Sequence, residues 1–155
     1  AAIIASAFVR EIKRRDFLAN VKLIAASELF EALDAVSCAQ IAAHLELKQV
    51  EPGTVLFRAG DPPDGLYFVS SGLIVLEPEG ADEPELRLSR GAFFGERALL
   101  TRNLRRRTAR ALTPATVLML DDEDFRRLAA LVPAFRERVI HVAVDRGMDD
   151  QDVET

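Results

Sequence analysis

The chain has 155 residues, of which 49% are hydrophobic and 29% are charged, so it can bury one sizeable core and is too apolar to be disordered. Its net charge of -5 disfavours a protein built mainly to neutralise nucleic acid, although an acidic chain can still carry a local basic patch. A single cysteine, Cys38, excludes an intrachain disulfide and a CxxC site, and the two histidines, His44 and His141, lie far apart, so we predict no metal site and a cytosolic compartment.

The N-terminal residues 1–8, AAIIASAF, form an apolar run that is far shorter than the roughly 20 residues needed to span a bilayer. Basic residues follow this run and do not precede it, which excludes a signal peptide. Two interpretations remain open. The run is either the first turns of an amphipathic helix or the cytoplasmic end of a membrane helix, whose positive flank would be Arg10, Lys13, Arg14 and Arg15.

The residues up to His44 contain no proline or glycine, and their apolar side chains recur at helical spacing. Ser27 and Ser37 are candidate N-terminal caps, because a serine hydroxyl can accept a hydrogen bond from a free amide of the first turn. We therefore predict several short helices in this part of the chain.

From Leu45 the pattern changes to short runs rich in Val, Leu, Phe and Thr, with turn-forming residues about every ten positions. This spacing is typical of a small all-β sandwich or barrel. The acidic residues 77–85, EPEGADEPE, are expected to form a solvated hairpin tip with no function of its own. Strands are predicted over residues 54–58, 66–70, 73–77, 85–90, 107–112 and 115–120.

Helical periodicity returns after residue 120. Asp121 or Asp122 can cap a first helix, which Pro133 ends. A second, amphipathic helix follows and stops at Gly147, and the acidic residues 148–155 are expected to fray. The apolar face of the second helix is predicted to carry Phe135, Val139, Val142 and Ala143.

The stretch GAFFGERALLTRNLRRRTARA, residues 91–111, places one carboxylate, Glu96, ahead of six arginines. Gly95 lets the backbone turn sharply, and residues 96–100 can then form one helical turn whose free amides favour an anion. An arginine from the next strand would add charge-assisted hydrogen bonds worth about 1.5–3 kcal/mol each. A carboxylate would repel a neighbouring anion unless it accepts a hydrogen bond from another group of the ligand. A ribose hydroxyl is such a donor. The pattern therefore indicates a sugar joined to a single phosphate.

This stretch resembles the phosphate-binding cassette of cyclic nucleotide-binding domains, in which phenylalanine and Gly-Glu precede a small apolar turn, a short loop and an arginine. Upstream, LFRAGDPPDGLYFVSSG resembles the first signature of the same family, with Gly60 and Asp61 in one turn and Gly72 after the apolar residues 66–69. The resemblance covers about residues 29–146. It implies an α+β fold: an eight-stranded antiparallel β-roll with N-terminal helices and two C-terminal helices that close over the ligand.

The resemblance also implies roles for individual residues and a ligand, cAMP or cGMP, with no metal. Glu96 would hold the ribose 2'-hydroxyl, and the amides of residues 95–98 would face the cyclic phosphate. Arg146 would contact the purine or only complete the end of its helix, where positive charge is favoured. The ligand-binding residues predicted in this way are Phe94, Gly95, Glu96, Arg97, Ala98, Arg105, Arg106, Arg107, Thr108 and Arg146.

The loop departs from the family pattern, because Leu104 stands in place of a proline and Arg106 and Arg107 in place of small residues. When residues are counted without gaps from Glu96 through the loop to Phe125, the family pattern assigns the phosphate to Arg105. A loop longer by two residues would assign it to Arg107, with Thr108 as a hydroxyl donor. If Arg105 points inward, the alternation of a strand turns Arg106 towards solvent.

Residues 2–30 resemble the junction of bacterial cyclic nucleotide-gated potassium channels, where the pore helix continues through a short basic linker. The resemblance implies this linker over residues 1–28, a cyclic nucleotide-binding domain over residues 29–147 and an acidic tail over residues 148–155. The expected partners are a cyclic nucleotide and the chain's own transmembrane pore domain, in a homotetramer at the cytoplasmic face of the bacterial inner membrane, without nucleic acid. The alternatives are the sensing domain of a cyclic nucleotide-dependent transcription regulator or of a kinase regulator. An enzyme is not predicted, because two remote histidines assemble no catalytic set.

Overall fold

The computed structural model describes residues 17–25, 27, 33–78, 80 and 82–154. The strands are β1 (Glu46–Val50), β2 (Val55–Phe57), β3 (Gly65–Ser71), β4 (Ile74–Leu76), β5 (Leu86–Leu88), β6 (Phe93–Phe94), β7 (Ala109–Ala111) and β8 (Ala115–Asp121). The helices are α1 (residues 17–25), α2 (Ala35–Ala42), α3 (Glu96–Thr101), α4 (Asp122–Leu131) and α5 (Pro133–Asp145).

The strands form two antiparallel sheets of four, with the orders β1-β8-β3-β6 and β2-β7-β4-β5. This arrangement confirms the predicted eight-stranded antiparallel β-roll, with helices before its first strand and after its last strand in the sequence. All six strands predicted one by one are present, and β1 and β6 complete the eight. The strand β6 has only two residues, too few for an alternating pattern, and it is held by its pairing with β3.

The central strand β3 is buried on both faces along most of its length, because apolar side chains occupy both positions of its alternation. Leu66 and Phe68 belong to the core that includes the helices, whereas Tyr67 and Val69 belong to the core that includes the second sheet. Burial of one such side chain contributes about 1.5–3 kcal/mol. The central strands therefore hold the helices on one side and the second sheet on the other.

The helix boundaries follow from capping side chains. The carboxylate of Asp34 accepts a hydrogen bond from the amide of Ser37 at 2.7 Å, so α2 begins two residues before the serine that we predicted as its cap. The prediction for α4 is confirmed, since Asp121 caps it by accepting from the amide of Asp124 at 2.8 Å. The predicted face of α5 is also confirmed, and its buried residues are Phe135, Val139, Val142 and Ala143.

Residues 148–154 pack against the domain, although their charge led us to expect a frayed tail. Met148 is 4% exposed and belongs to the core shared with α5. Asp150–Asp152 form a 3-10 turn, and the amide of Glu154 donates to the carbonyl of Leu100 at 2.9 Å. The expectation rested on the acidic side chains of this segment. Burial of the apolar Met148 instead anchors the segment to the domain.

The predicted end of a pore helix falls mostly on residues 1–16, which lie outside the described residues. Ser27 follows α1 and its hydroxyl donates to the carbonyl of Ile24 at 2.7 Å, while the helix predicted to start there runs into residues 28–32, also outside the description. Within the part of the chain that the structure describes, no helix is long and apolar enough to cross a membrane.

Candidate ligand-binding site

The glycine turn ahead of α3 lies against a buried arginine. Gly95 has φ +87°, a torsion that side-chain-bearing residues rarely adopt. A Cβ at this position would also lie 2.9 Å from Nη1 of Arg105. Glycine is therefore required here twice, once for the turn into α3 and once for the close approach of the guanidinium.

The backbone of Arg105 is fixed by the turn between β2 and β3, which is part of the first family signature. The amide of Arg105 donates to the carbonyl of Asp61 at 2.8 Å, and the amide of Gly60 donates to the carbonyl of Arg105 at 2.7 Å. The two sequence motifs thus meet in space through a reciprocal pair of backbone hydrogen bonds. This pair sets where the arginine side chain enters the interior.

The guanidinium of Arg105 is held from several sides. Nη1 donates to the carbonyl of Gly95 at 2.6 Å, and Nη2 donates to Asp64 Oδ1 at 2.7 Å and to the carbonyl of Gly65 at 2.8 Å. The ring of Phe57 lies beneath it, with 4.0 Å from Cζ to the ring centroid. Arg105 is 4% exposed, and its Nε is a buried donor without a hydrogen-bond partner among the described residues. One donor of this cation therefore has no acceptor within the described part of the chain.

Asp64 links the arginine to the core of the β-roll. Its Oδ2 accepts from the hydroxyl of Tyr67 at 2.7 Å while its Oδ1 accepts from Arg105. Burial, together with this hydrogen bond to Asp64, raises the pKa of Tyr67 far above its usual range. The phenol therefore remains a donor at any physiological pH, and it orients the carboxylate that faces the arginine.

Glu96 and Arg146 join the glycine turn to the end of α5. Glu96 is 5% exposed, and Nη1 of Arg146 lies 3.3 Å from each of its carboxylate oxygens. The same nitrogen donates to the carbonyl of Phe93 at 2.6 Å, and Cζ of Arg146 lies 5.3 Å from the centroid of the Phe93 ring. Arg146, which the resemblance assigned to the purine, thus contacts the carboxylate assigned to the ribose.

Arg106 and Arg107 point towards the acidic hairpin between β4 and β5. Glu83 accepts from Nη2 of Arg106 at 2.9 Å, and its other oxygen lies 3.3 Å from Nη2 of Arg107. Arg105 points inward and Arg106 is the more exposed of the two, with side chains 2% and 39% exposed, as expected, although the loop before β7 is not a strand and Arg106 also contacts Glu83. The hairpin tip is also more than the solvated turn we expected, since Glu83 and Pro84 line the site.

These elements enclose a cavity of about 780 Å³, a size found for small-molecule sites. Within the described residues no group of three His, Cys, Asp or Glu side chains is placed to hold a metal ion. Eight of the ten predicted ligand-binding residues line the cavity, and they are Gly95, Glu96, Arg97, Ala98, Arg105, Arg106, Arg107 and Arg146.

The other two predicted residues lie elsewhere. Phe94 is fully buried in the core between the sheets and stacks on Tyr67, with ring centroids 5.2 Å apart, because the pairing of β6 with β3 places it opposite Tyr67. The hydroxyl of Thr108 accepts from the amide of Ala59 at 3.0 Å, which joins two loops of the β-roll. Neither residue lines the cavity.

Three residues that hold arginines of the site were not identified from the sequence. Phe57 and Asp64 hold Arg105, and Glu83 pairs with the next two arginines. Asp64 lies inside the first family signature, directly before Gly65, so its place in that motif was a usable signal. Phe57 also lies inside that signature, whereas nothing in the local pattern marks Glu83, because its partners lie more than twenty positions away in the sequence.

The fold is a β-roll with flanking helices, and five arginines line its cavity. The chain belongs to the cyclic nucleotide-binding domain family, whose sequence profile matches residues 47–131. Its relatives include a cyclic nucleotide-gated potassium channel of Mesorhizobium japonicum, 34% identical over 94% of this chain, and one of Rhizobium etli, 33% identical over 94%. The chain spans only 40% of the length of each channel.

Among solved structures, the catabolite activator protein of Thermus thermophilus matches with a TM-score of 0.69 and 26% sequence identity. The match covers 77% of this chain and 58% of that protein. The β-roll and its flanking helices are therefore shared between channel relatives and a protein of another class, and the fold alone does not choose between them.

Proposed function

We propose that this chain binds a cyclic nucleotide, cAMP or cGMP, in the cavity between α3, the arginine loop and the end of α5. The observation that carries the proposal is the buried guanidinium of Arg105, which touches the glycine turn and still has an unpaired Nε. A buried charged donor without a partner is costly, so it favours an acceptor arriving in the cavity. A cyclic phosphate supplies such acceptors and the opposite charge.

Each cassette residue then has a distinct task. Arg105 supplies the counter-charge for the phosphate, and the backbone amides of Gly95 through Ala98 face the same anion. Glu96 accepts from a ribose hydroxyl, which is the donor that its buried carboxylate can hold beside an anion. No residue in this scheme performs chemistry on the nucleotide, so the proposed role is binding and transmission, without catalysis.

Transmission would begin at the contact between Glu96 and Arg146. A ribose hydroxyl and the Arg146 guanidinium would compete for the same carboxylate, so the nucleotide would change how α5 is held on α3. Two arrangements of α5 with different nucleotide affinities would give a coupling free energy. The channel relatives suggest that this energy biases a pore through the N-terminal helices.

In this proposal residues 29–147 are the binding domain and residues 1–28 its connection to a pore domain, in a homotetramer at the cytoplasmic face of the inner membrane. A transcription regulator would use the same binding step, and the match to a catabolite activator protein keeps that class as the second candidate. Potassium flux into liposomes that contain the complete gene product, measured with and without cyclic nucleotide, separates the two classes. Nucleotide-independent flux would contradict the gating proposal.

Titration calorimetry with cAMP and with cGMP tests the binding proposal. Arg105→Ala should weaken binding by about 2–5 kcal/mol, as for loss of the partner of a buried charge. Arg110→Ala is the matched control, since this arginine pairs with Glu77 and does not line the cavity. Because Arg105 also holds Asp64, circular dichroism should first confirm the fold, and Glu96→Gln offers a second test if the arginine variant unfolds. Unchanged affinity in a folded Arg105→Ala variant would overturn the assignment.

A further inference from the structure

The cavity is lined by five arginines and by four acids, Glu83, Glu96, Asp145 and Asp152, so its lining carries one net positive charge. A cyclic phosphodiester carries a single negative charge, which this excess matches. Arg105 and Arg146 reach the glycine turn and Glu96. Arg106 and Arg107 instead reach the hairpin between β4 and β5. The question is what two further guanidinium groups do in a site for a monoanion.

One carboxylate engages both of them. Glu83 Oε1 lies 2.9 Å from Nη2 of Arg106, and Glu83 Oε2 lies 3.3 Å from Nη2 of Arg107. Nη1 of Arg107 also donates to the carbonyl of Pro84 at 3.0 Å, so the hairpin holds this side chain with its backbone as well. All three charged side chains are only partly exposed, at 31%, 39% and 20% for Glu83, Arg106 and Arg107. Their charges therefore act on the cavity with less screening than fully exposed groups would have.

We propose that Glu83 is a specificity-determining residue, which neutralises Arg106 and Arg107 so that the cavity favours a monoanionic cyclic phosphodiester over a dianionic 5'-mononucleotide. This inference rests on the proposed function. The two ligands share base and ribose and differ chiefly at phosphorus. A phosphate monoester carries about -1.5 to -2 charges at pH 7. Arg106 and Arg107 would favour this additional negative charge if the carboxylate of Glu83 did not oppose their own charge.

A second observation shows that the charges in this part of the cavity influence one another. Burial, and next the positive charge of Arg106, lower the pKa of Arg97, which lines the same cavity. The charge of Arg106 therefore acts on the guanidinium of Arg97, a residue of the first turn of α3 that lines the cavity. Removing the carboxylate that balances Arg106 would raise the positive potential at that place.

The test compares dissociation constants of Glu83→Gln for cAMP and 5'-AMP, or for cGMP and 5'-GMP if guanine binds better. The expected result is that binding of the 5'-mononucleotide, relative to the cyclic nucleotide, improves on the order of threefold to tenfold, since one unit of charge changes near one additional ligand charge. Glu77→Gln is the matched control, because Glu77 pairs with Arg110 outside the cavity. The control should keep the ratio of the unmodified chain.

The opposite change of charge gives a second test. Arg106→Gln/Arg107→Gln removes two positive charges and should shift the ratio the other way, towards the cyclic nucleotide, whereas a purely structural role of the hairpin would alter binding of both ligands alike. An unaltered ratio in Glu83→Gln or in the arginine variant, or the same change in Glu77→Gln, overturns the inference. If Glu83→Gln does not fold, Glu83→Ala is measured against the same criteria. Absence of cyclic nucleotide binding by the unmodified chain would refute the proposed function instead, so the two failures are distinguishable.

Discussion

The contact between Glu96 and Arg146 allows a quantitative test of how α5 is attached to the cassette. Arg146→Ala removes a guanidinium that lies 3.3 Å from both oxygens of a carboxylate that is 5% exposed. Breaking a fully buried ion pair costs about 3–5 kcal/mol. The 3.3 Å separation exceeds that of a strong charge-assisted hydrogen bond, and the Arg146 side chain is 18% exposed. We therefore expect the variant to lose about 2–4 kcal/mol of stability.

A double-mutant cycle isolates the part of this loss that belongs to the pair. Arg146 also donates to the Phe93 carbonyl and lies near the Phe93 ring, and both contacts are lost in Arg146→Ala whatever occupies position 96. Urea denaturation of Arg146→Ala, Glu96→Ala and the double variant should give a coupling energy of about 1–2 kcal/mol. The slope of the free energy of unfolding against urea should be equal in all four proteins, as two-state unfolding requires.

The cycle also connects stability with binding. If a ribose hydroxyl competes with Arg146 for Glu96, the coupling energy should shrink when the proteins are saturated with cyclic nucleotide. A coupling energy below about 0.5 kcal/mol without nucleotide would mean that the two residues act independently, and the reasoning about the attachment of α5 would be refuted.

Two further predictions concern the C-terminal segment and the acid stability of the domain. Met148→Ala should lower the free energy of unfolding by about 2–4 kcal/mol in urea denaturation, because Met148 is 4% exposed; a change near zero would mean that this segment does not pack on α5. Although burial alone would raise the pKa of Asp122, hydrogen bonds from Arg126 and Arg102 hold it below the ordinary value of 3.8, so its contribution to stability is present above that value and is lost as the pH falls through the lower folded pKa. Asp122→Asn should therefore lose less stability than the unmodified chain between about pH 5 and pH 3, and parallel stability profiles over this range would contradict the assignment.

The fold was largely predictable because its signals are local. Turn residues at regular spacing marked six strands, and the apolar periodicity of residues 133–145 marked the buried face of α5. The errors were local too. Asp34 precedes Ser37 by three residues and is the better hydrogen-bond acceptor for the first turn of α2, so a competing cap changed the helix start. The segment after α5 was misjudged because one buried methionine outweighs several exposed acids.

The sequence by itself determined the cassette: a glycine that must adopt a positive φ, the glutamate after it, and an arginine loop at a set distance. Only the tertiary structure decided what each charge meets. The contacting charges are far apart in the sequence: the separation is 41 residues for Arg105 and Asp64, 23 for Arg106 and Glu83, and 50 for Arg146 and Glu96. Such pairings depend on how the sheets bring distant loops together, and no periodic pattern encodes them. Torsional preference and turn chemistry belong to single residues, whereas the balance of charge in a cavity belongs to the folded chain.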